Sequence, residues 1–353
     1  MFPHLPEIAP DSRAALDALI GEMPNYGSEF TGTFANHAPM VLIAQAFMGG
    51  SPAQMQRFFA EYNAYKGLLP FADSDLTITA ETWQAHLGAR EHEAAYRRFF
   101  DAELHRLGLH DMLRLWLPRM APGVGASAFH ALMRMAYALM NDEDAVEASH
   151  ALAYWCATWL QMPAQTGTAP LSANPAEVLI YAGGLPGVRD QEIYPLIWQN
   201  MRQAMALPGF ETAGDWLEVD DTVLERCAAA SVVLFAATQD FCALHALTGM
   251  HWIRVLQPYH AATNEMVRAF WAGAVGLMNE MGFPELPPPE AVERWRALPC
   301  PDWPEIFAAA CQSFDEHDLS VTFSCSQEEQ VYGDPLYRRA AARRLGLIGE
   351  MTV

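Results

Sequence analysis

Twelve histidines are spread through the chain, and four of them lie in apolar or helix-terminal settings where a polar ring is least expected. His37 opens the apolar run Asn36-His37-Ala38-Pro39-Met40-Val41. His130 lies in Ala128-Phe129-His130-Ala131-Leu132-Met133, and His245 in Phe241-Cys242-Ala243-Leu244-His245-Ala246-Leu247. His317 closes Phe314-Asp315-Glu316-His317. Imidazoles projecting inward from separate helices are how helical interiors build metal sites. The positive end of a helix dipole discourages protonation of His37, and burial would do the same for His130 and His245. Neutral imidazole is the form that ligates zinc, iron, copper or nickel. Against this stands the plainer reading, in which each ring is a hydrogen-bonded core residue. The two readings part on whether the rings converge, and His150 and His251 remain alternative ligands.

Helical spacing attaches further polar groups to these rings. Arg134 follows His130 by four residues and shares its face. It is a candidate catalytic residue that orients an oxyanion or acidic substrate, or else it pairs with a structural carboxylate. Asp240 precedes His245 by five. It is the second catalytic candidate, as a support to the site or a partner for Arg134, with a purely structural role as the alternative. Thr248 could hydrogen-bond a ligand or back-bond its own helix. Tyr137 and Trp252 are the candidate pocket walls, although eighteen Met, eighteen Phe and ten Trp are in the first place material for a core.

The elements that must position these residues are helices. Ala, Leu and Met are abundant and alternating β-branched runs are nearly absent. Helices are expected over about 12–23, 36–48, 52–66, 90–107, 111–120, 127–140, 144–161, 175–181, 191–205, 221–248, 251–260, 264–281, 289–297, 303–313 and 334–345. The strand-like run Leu319–Cys325 stands alone and cannot make a sheet, so it reads as a continuing helix or irregular chain. Gly123-Val-Gly-Ala-Ser-Ala128 matches a dinucleotide fingerprint but lacks the preceding strand, which leaves a helix-entry turn. The expected fold is all-α: one large multi-helix domain over residues 1–353, with room for two lobes, no significant sheet, and peripheral tails at 1–15 and 346–353.

Composition bounds the partners. Hydrophobic residues make up 52% of the chain and charged residues 18%, which excludes disorder. A net charge of −21 repels nucleic acid and anionic lipid. No apolar stretch reaches bilayer-spanning length and no signal peptide opens the chain. Six cysteines without a C-x-x-C pair read as reduced thiols, so a cytoplasmic protein is expected.

Five short motifs in order resemble the questin oxidase-like family. They are Asn36-His37-Ala-Pro39-Met40, Phe129-His130-x-x-x-Arg134-x-x-Tyr137-Ala138, Asp240-Phe241-x-x-x-His245-x-x-Thr248, Asp315-Glu316-His317 and Tyr332-Gly333-x-x-x-x-Tyr337-x-x-Ala340-Ala341. The resemblance runs from about residue 20 to residue 345. It implies an all-helical fold and oxidation or ring cleavage of small apolar aromatic, polyketide-like substrates with dioxygen. That chemistry is described either as NADPH-dependent Baeyer–Villiger-like oxygen insertion or as cleavage at non-heme iron. The family's four metal-binding histidines fall on His37, His130, His245 and His317, with iron, or zinc as purified, as the metal.

One position departs from the family pattern. Members of the family place a lysine, carboxylated in some, three residues after the last histidine, where this chain has Ser320. A serine cannot carry a carbamate. Asp318, Glu316 or water would have to complete the shell, or the chemistry is lost and a non-catalytic scaffold or hydrophobic-ligand carrier remains. A metal-free, NADPH-dependent monooxygenase is the other alternative.

Overall fold

Helix starts follow the small polar residues and prolines of the sequence. Ser51 and Gln54 form a reciprocal capping box ahead of Pro52, and Asn174, Asp302 and Asp315 each accept a backbone N–H from the first turn they introduce. In the computed structural model, which describes residues 5–352, the helices run in chain order as follows. The first five are α1 (Pro10–Ile20), α2 (Ala38–Phe47), α3 (Pro52–Lys66), α4 (Glu93–Leu107) and α5 (Leu109–Met120). Next come α6 (His130–Met140), α7 (Ala145–Ala157), α8 (Pro175–Ala182), α9 (Ile197–Met205), α10 (Val223–Thr238) and α11 (Phe241–Leu256). The last are α12 (Thr263–Val275), α13 (Pro289–Arg296), α14 (Trp303–Ala310), α15 (Glu316–Tyr332) and α16 (Leu336–Arg344). Two-residue strands at Glu29–Phe30 and Phe34–Ala35 form one small antiparallel hairpin. The protein is all-α.

Two compact units are formed, one from residues 1–72, 232–239 and 287–353 and the other from 73–231 and 240–286. In the first, α15 is the centre: Leu319–Glu328 is buried on every side, with α2, α14 and α16 packed around it. Phe47 of α2 stacks on Phe323 of α15 with ring centroids 5.4 Å apart. In the second unit, α6 is buried along its whole length and packs against α7 and α11. Gly249 of α11 permits close approach there, because a Cβ at that position would meet the Phe270 ring at 2.0 Å.

Two expected elements differ in detail. The predicted helix over 221–248 is divided, because Gln239 takes a left-handed backbone (φ 52°) and Asp240 caps a new helix. The new helix, α11, then continues through the separately predicted 251–260 segment as far as Leu256. The strand-like Leu319–Cys325 is helical, the first of the two readings that its isolation left open. No helix among the described residues is long and apolar enough to cross a membrane. All six cysteines are free thiols, five of them buried.

Candidate functional site

In the first unit two of the four histidines meet. His37, immediately before α2, and His317, in the first turn of α15, have ring centroids 5.0 Å apart in an edge-to-face arrangement. His37 is 6% exposed, and its backbone N–H donates to the Tyr62 hydroxyl at 2.9 Å. Burial, reinforced by the neighbouring His317 imidazole, pulls the His37 pKa down to about 4. The buried carboxylate of Glu316 lies 4.0 Å from His37 Nδ1 and 2.9 Å from Lys66 Nζ. Burial pushes that carboxyl up, but His37, His317 and Lys66 hold it net below its ordinary value.

In the second unit the other two meet in the same manner. The His130 and His245 ring centroids are 5.4 Å apart, again edge to face, and Phe241 lies edge-on to His245 at 4.7 Å. His130 is the first residue of α6, and the chain reaches it through three consecutive non-glycine residues in the left-handed region: Ser127 (φ 45°), Ala128 (φ 54°) and Phe129 (φ 71°). Each such residue costs on the order of 1 kcal/mol or more, and such conformations cluster at functional sites. The turn is held from outside by the Tyr154 hydroxyl, which donates to Ser127 Oγ at 2.7 Å.

All four rings share one further property. Nδ1 of His37 lies 2.9 Å from the Ala35 carbonyl oxygen, that of His130 2.5 Å from Ser127 O, and that of His245 2.8 Å from Phe241 O. His317 Nδ1 lies 2.9 Å from Asp315 Oδ1. A carbonyl oxygen or carboxylate only accepts, so Nδ1 must carry the proton and, in the neutral ring, Nε2 carries the lone pair. This is the arrangement of metal-ligating histidines, whose second nitrogen donates to a carbonyl or carboxylate and thereby fixes tautomer and ring orientation. Each of the four rings therefore holds the tautomer a metal ligand needs, while the group of donor atoms that lie close enough together to share a cation, among the described residues, is Asp315, Glu316 and His317. His150 differs: its Nε2 faces Asp101 at 3.6 Å. His251 is fully buried, and burial drives its pKa far below the ordinary value.

The other sequence candidates have clear structural partners. Arg134 directs Nε and Nη2 at the two carboxylate oxygens of Glu147, at 2.5 and 3.0 Å, both residues being buried. Asp240 Oδ1 accepts from the backbone N–H groups of Cys242 and Ala243 at 2.7 and 3.2 Å, capping the helix that carries His245. Thr248 back-bonds the Leu244 carbonyl at 3.0 Å. Tyr137 and Trp252 are buried, each seven residues and so two turns beyond its histidine on the same helical face. Among the described residues none accepts from the Trp252 indole N–H.

Sequence reasoning missed a cavity of about 560 Å³ in the first unit, lined by Glu61, Tyr62, Tyr65, Lys66, Phe314 and the Asp315-Glu316-His317 run. Tyr65 is 84% exposed and Phe314 44%, so two aromatic rings stand unburied at its wall. Lys66 Nζ lies 5.5, 5.9 and 5.3 Å from the centroids of Phe30, Tyr62 and Tyr65. One signal in the sequence pointed here, since Lys66 is the only lysine in the chain, against twenty arginines. One ligand atom each from Asp315, Glu316 and His317 lie within 4.8 Å of one another, close enough to share a cation.

A protein-family model described as Questin oxidase-like matches residues 34–322. No curated protein matches the chain.

Proposed function

The chain belongs to the questin oxidase-like family, and from that premise we propose that it is an oxidoreductase whose paired imidazoles, His37 with His317 and His130 with His245, are ligands of a transition metal, iron or zinc. Membership itself points to oxidase chemistry. The finer reading rests on one observation, that all four imidazoles donate through Nδ1 and so present Nε2 as the ligating atom. When bound, the metal would supply activation of dioxygen and polarisation of a substrate oxygen. We propose a small apolar aromatic compound of the polyketide type as the substrate, oxidised or ring-cleaved, with NADPH as reductant in the Baeyer–Villiger version.

The chain's own residues would prepare that reaction in three ways. The 560 Å³ cavity offers the Tyr62, Tyr65 and Phe314 rings to a flat apolar ligand and opens onto His317. Asp240 would support His245 by capping its helix, and Arg134, one turn after His130, would hold that helix through its ion pair with Glu147. Tyr137, Trp252 and the Thr248 methyl would wall the region around His130 and His245, where the Trp252 indole is available to a ligand oxygen.

Metal analysis of the purified chain, before and after anaerobic loading with Fe²⁺, tests the proposal. Bound metal is expected, and each of His37→Ala, His130→Ala, His245→Ala and His317→Ala lowers its amount; no metal above background after loading overturns the proposal. Oxygen uptake with a hydroxyanthraquinone, with and without NADPH, then separates the oxygenase from a carrier that binds without turnover, the reading favoured by Ser320.

A further inference from the structure

Three of the four imidazole anchors are main-chain carbonyls: Ala35 for His37, Ser127 for His130 and Phe241 for His245. His317 is anchored by a side-chain carboxylate, Asp315, and that side chain is itself fixed from several directions. Asp315 Oδ1 accepts from both the His317 backbone N–H and the His317 Nδ1–H, each at 2.9 Å, so one oxygen caps α15 and grips the ring of its second residue. Asp315 Oδ2 accepts from Arg344 Nη2 at 2.8 Å. The same guanidinium donates through Nε to Asp318 Oδ1 at 2.7 Å, and the Ser313 hydroxyl donates to Asp318 Oδ2 at 2.7 Å. Ser313, Asp315, Asp318 and Arg344 thus form a closed polar frame around a single imidazole at the wall of the aromatic cavity.

We propose that Asp315, clamped by Arg344, is the positioning residue that sets the tautomer and ring orientation of His317 and makes it a stronger donor than an imidazole anchored by a carbonyl would be. A carboxylate bears a full negative charge where a carbonyl bears a partial one. The Nδ1–H···O⁻ bond therefore draws more electron density onto Nε2. The inference rests on the metal reading for its purpose, while its core claim concerns the imidazole alone.

The experiment uses two readouts. Long-range ¹⁵N–¹H spectra of the metal-free chain report the tautomer of His317; the wild type is expected to show Nδ1–H, and Asp315→Ala to lose that preference. Titration with Co²⁺, followed by its visible absorption, is expected to show binding about 10–100-fold weaker in Asp315→Ala and Asp315→Asn, with a shifted spectrum. Asp302→Ala serves as the control: Asp302 caps α14 in the same unit by accepting from Glu305 N at 3.3 Å, so it should lower stability without changing Co²⁺ affinity or spectrum. A wild-type His317 protonated on Nε2, or Asp315 variants matching the Asp302 control in both readouts, overturns the proposal. A wild-type chain that binds no Co²⁺ yet shows the Asp315-dependent tautomer defeats the metal reading and leaves the positioning role standing.

Discussion

A side chain's type could be weighed from the sequence; its partner could not. His37, His130, His245 and His317 stood out because imidazoles are rare in apolar helical settings, and each proves to be oriented through Nδ1. The acceptors are two to four residues earlier in the chain. Such local acceptors are within reach of sequence reasoning, yet which nitrogen meets them depends on the ring rotamer. Arg134 was open between an oxyanion and a structural carboxylate, and Glu147, thirteen residues on, receives its guanidinium. Ser320 makes a sharper case. It is 2% exposed and its Oγ has no hydrogen-bond partner among the described residues. A buried unsatisfied hydroxyl costs roughly 1–3 kcal/mol, so Ser320→Ala should be neutral or raise stability by up to about 1 kcal/mol in a denaturant titration. A loss of more than that amount would mean the hydroxyl is bonded in solution.

At the scale of elements, helix boundaries follow local capping chemistry, and the one large error shows where that signal was underweighted. Asp221–Thr248 reads as one apolar helix, because Asp240 is a single polar residue in a long apolar run. Its carboxylate nonetheless offers two N–H groups a better acceptor than continued helix would, and Gln239 turns the chain to allow it. Asn caps about as well as Asp, whereas Ala loses on the order of 1 kcal/mol. Asp240→Ala should therefore be destabilised by about that amount and Asp240→Asn by much less, as read from thermal unfolding. If Asp240→Asn keeps its stability but loses metal or turnover, the carboxylate has a chemical role beyond capping. The left-handed Ser127-Ala128-Phe129 turn was invisible to pattern reading, since none of these residues favours that conformation. The Tyr154 hydroxyl and the packed α6 impose it.

At the scale of the whole molecule, burial of neutral histidines links stability to pH. Burial lowers the pKa of both His37 and His260 from 6.5 to about 4, and it drives that of His251 well below 6.5 as well. In the unfolded chain these rings take up protons near pH 6.5, while in the folded chain they remain neutral to about pH 4. The unfolded state thus binds more protons across that window, and stability falls as pH drops through it. Each of the first two histidines contributes on the order of 3 kcal/mol over the full range. Denaturant midpoints of the metal-free protein should fall between pH 6.5 and 4, and His260→Gln should flatten the slope. An unchanged midpoint across that range would contradict neutral burial.

The helical class, most helix positions and the four candidate histidines were determined by the sequence alone, because periodicity, caps and the rarity of polar groups in apolar runs are local properties. Tertiary structure decided the rest. It paired His37 with His317 and His130 with His245, gave Arg134 to Glu147, and gathered Lys66, Tyr65 and Phe314 around one cavity. Those meetings join residues distant in sequence through the packing of helices. No pattern along the chain encodes which face of one helix will meet which face of another.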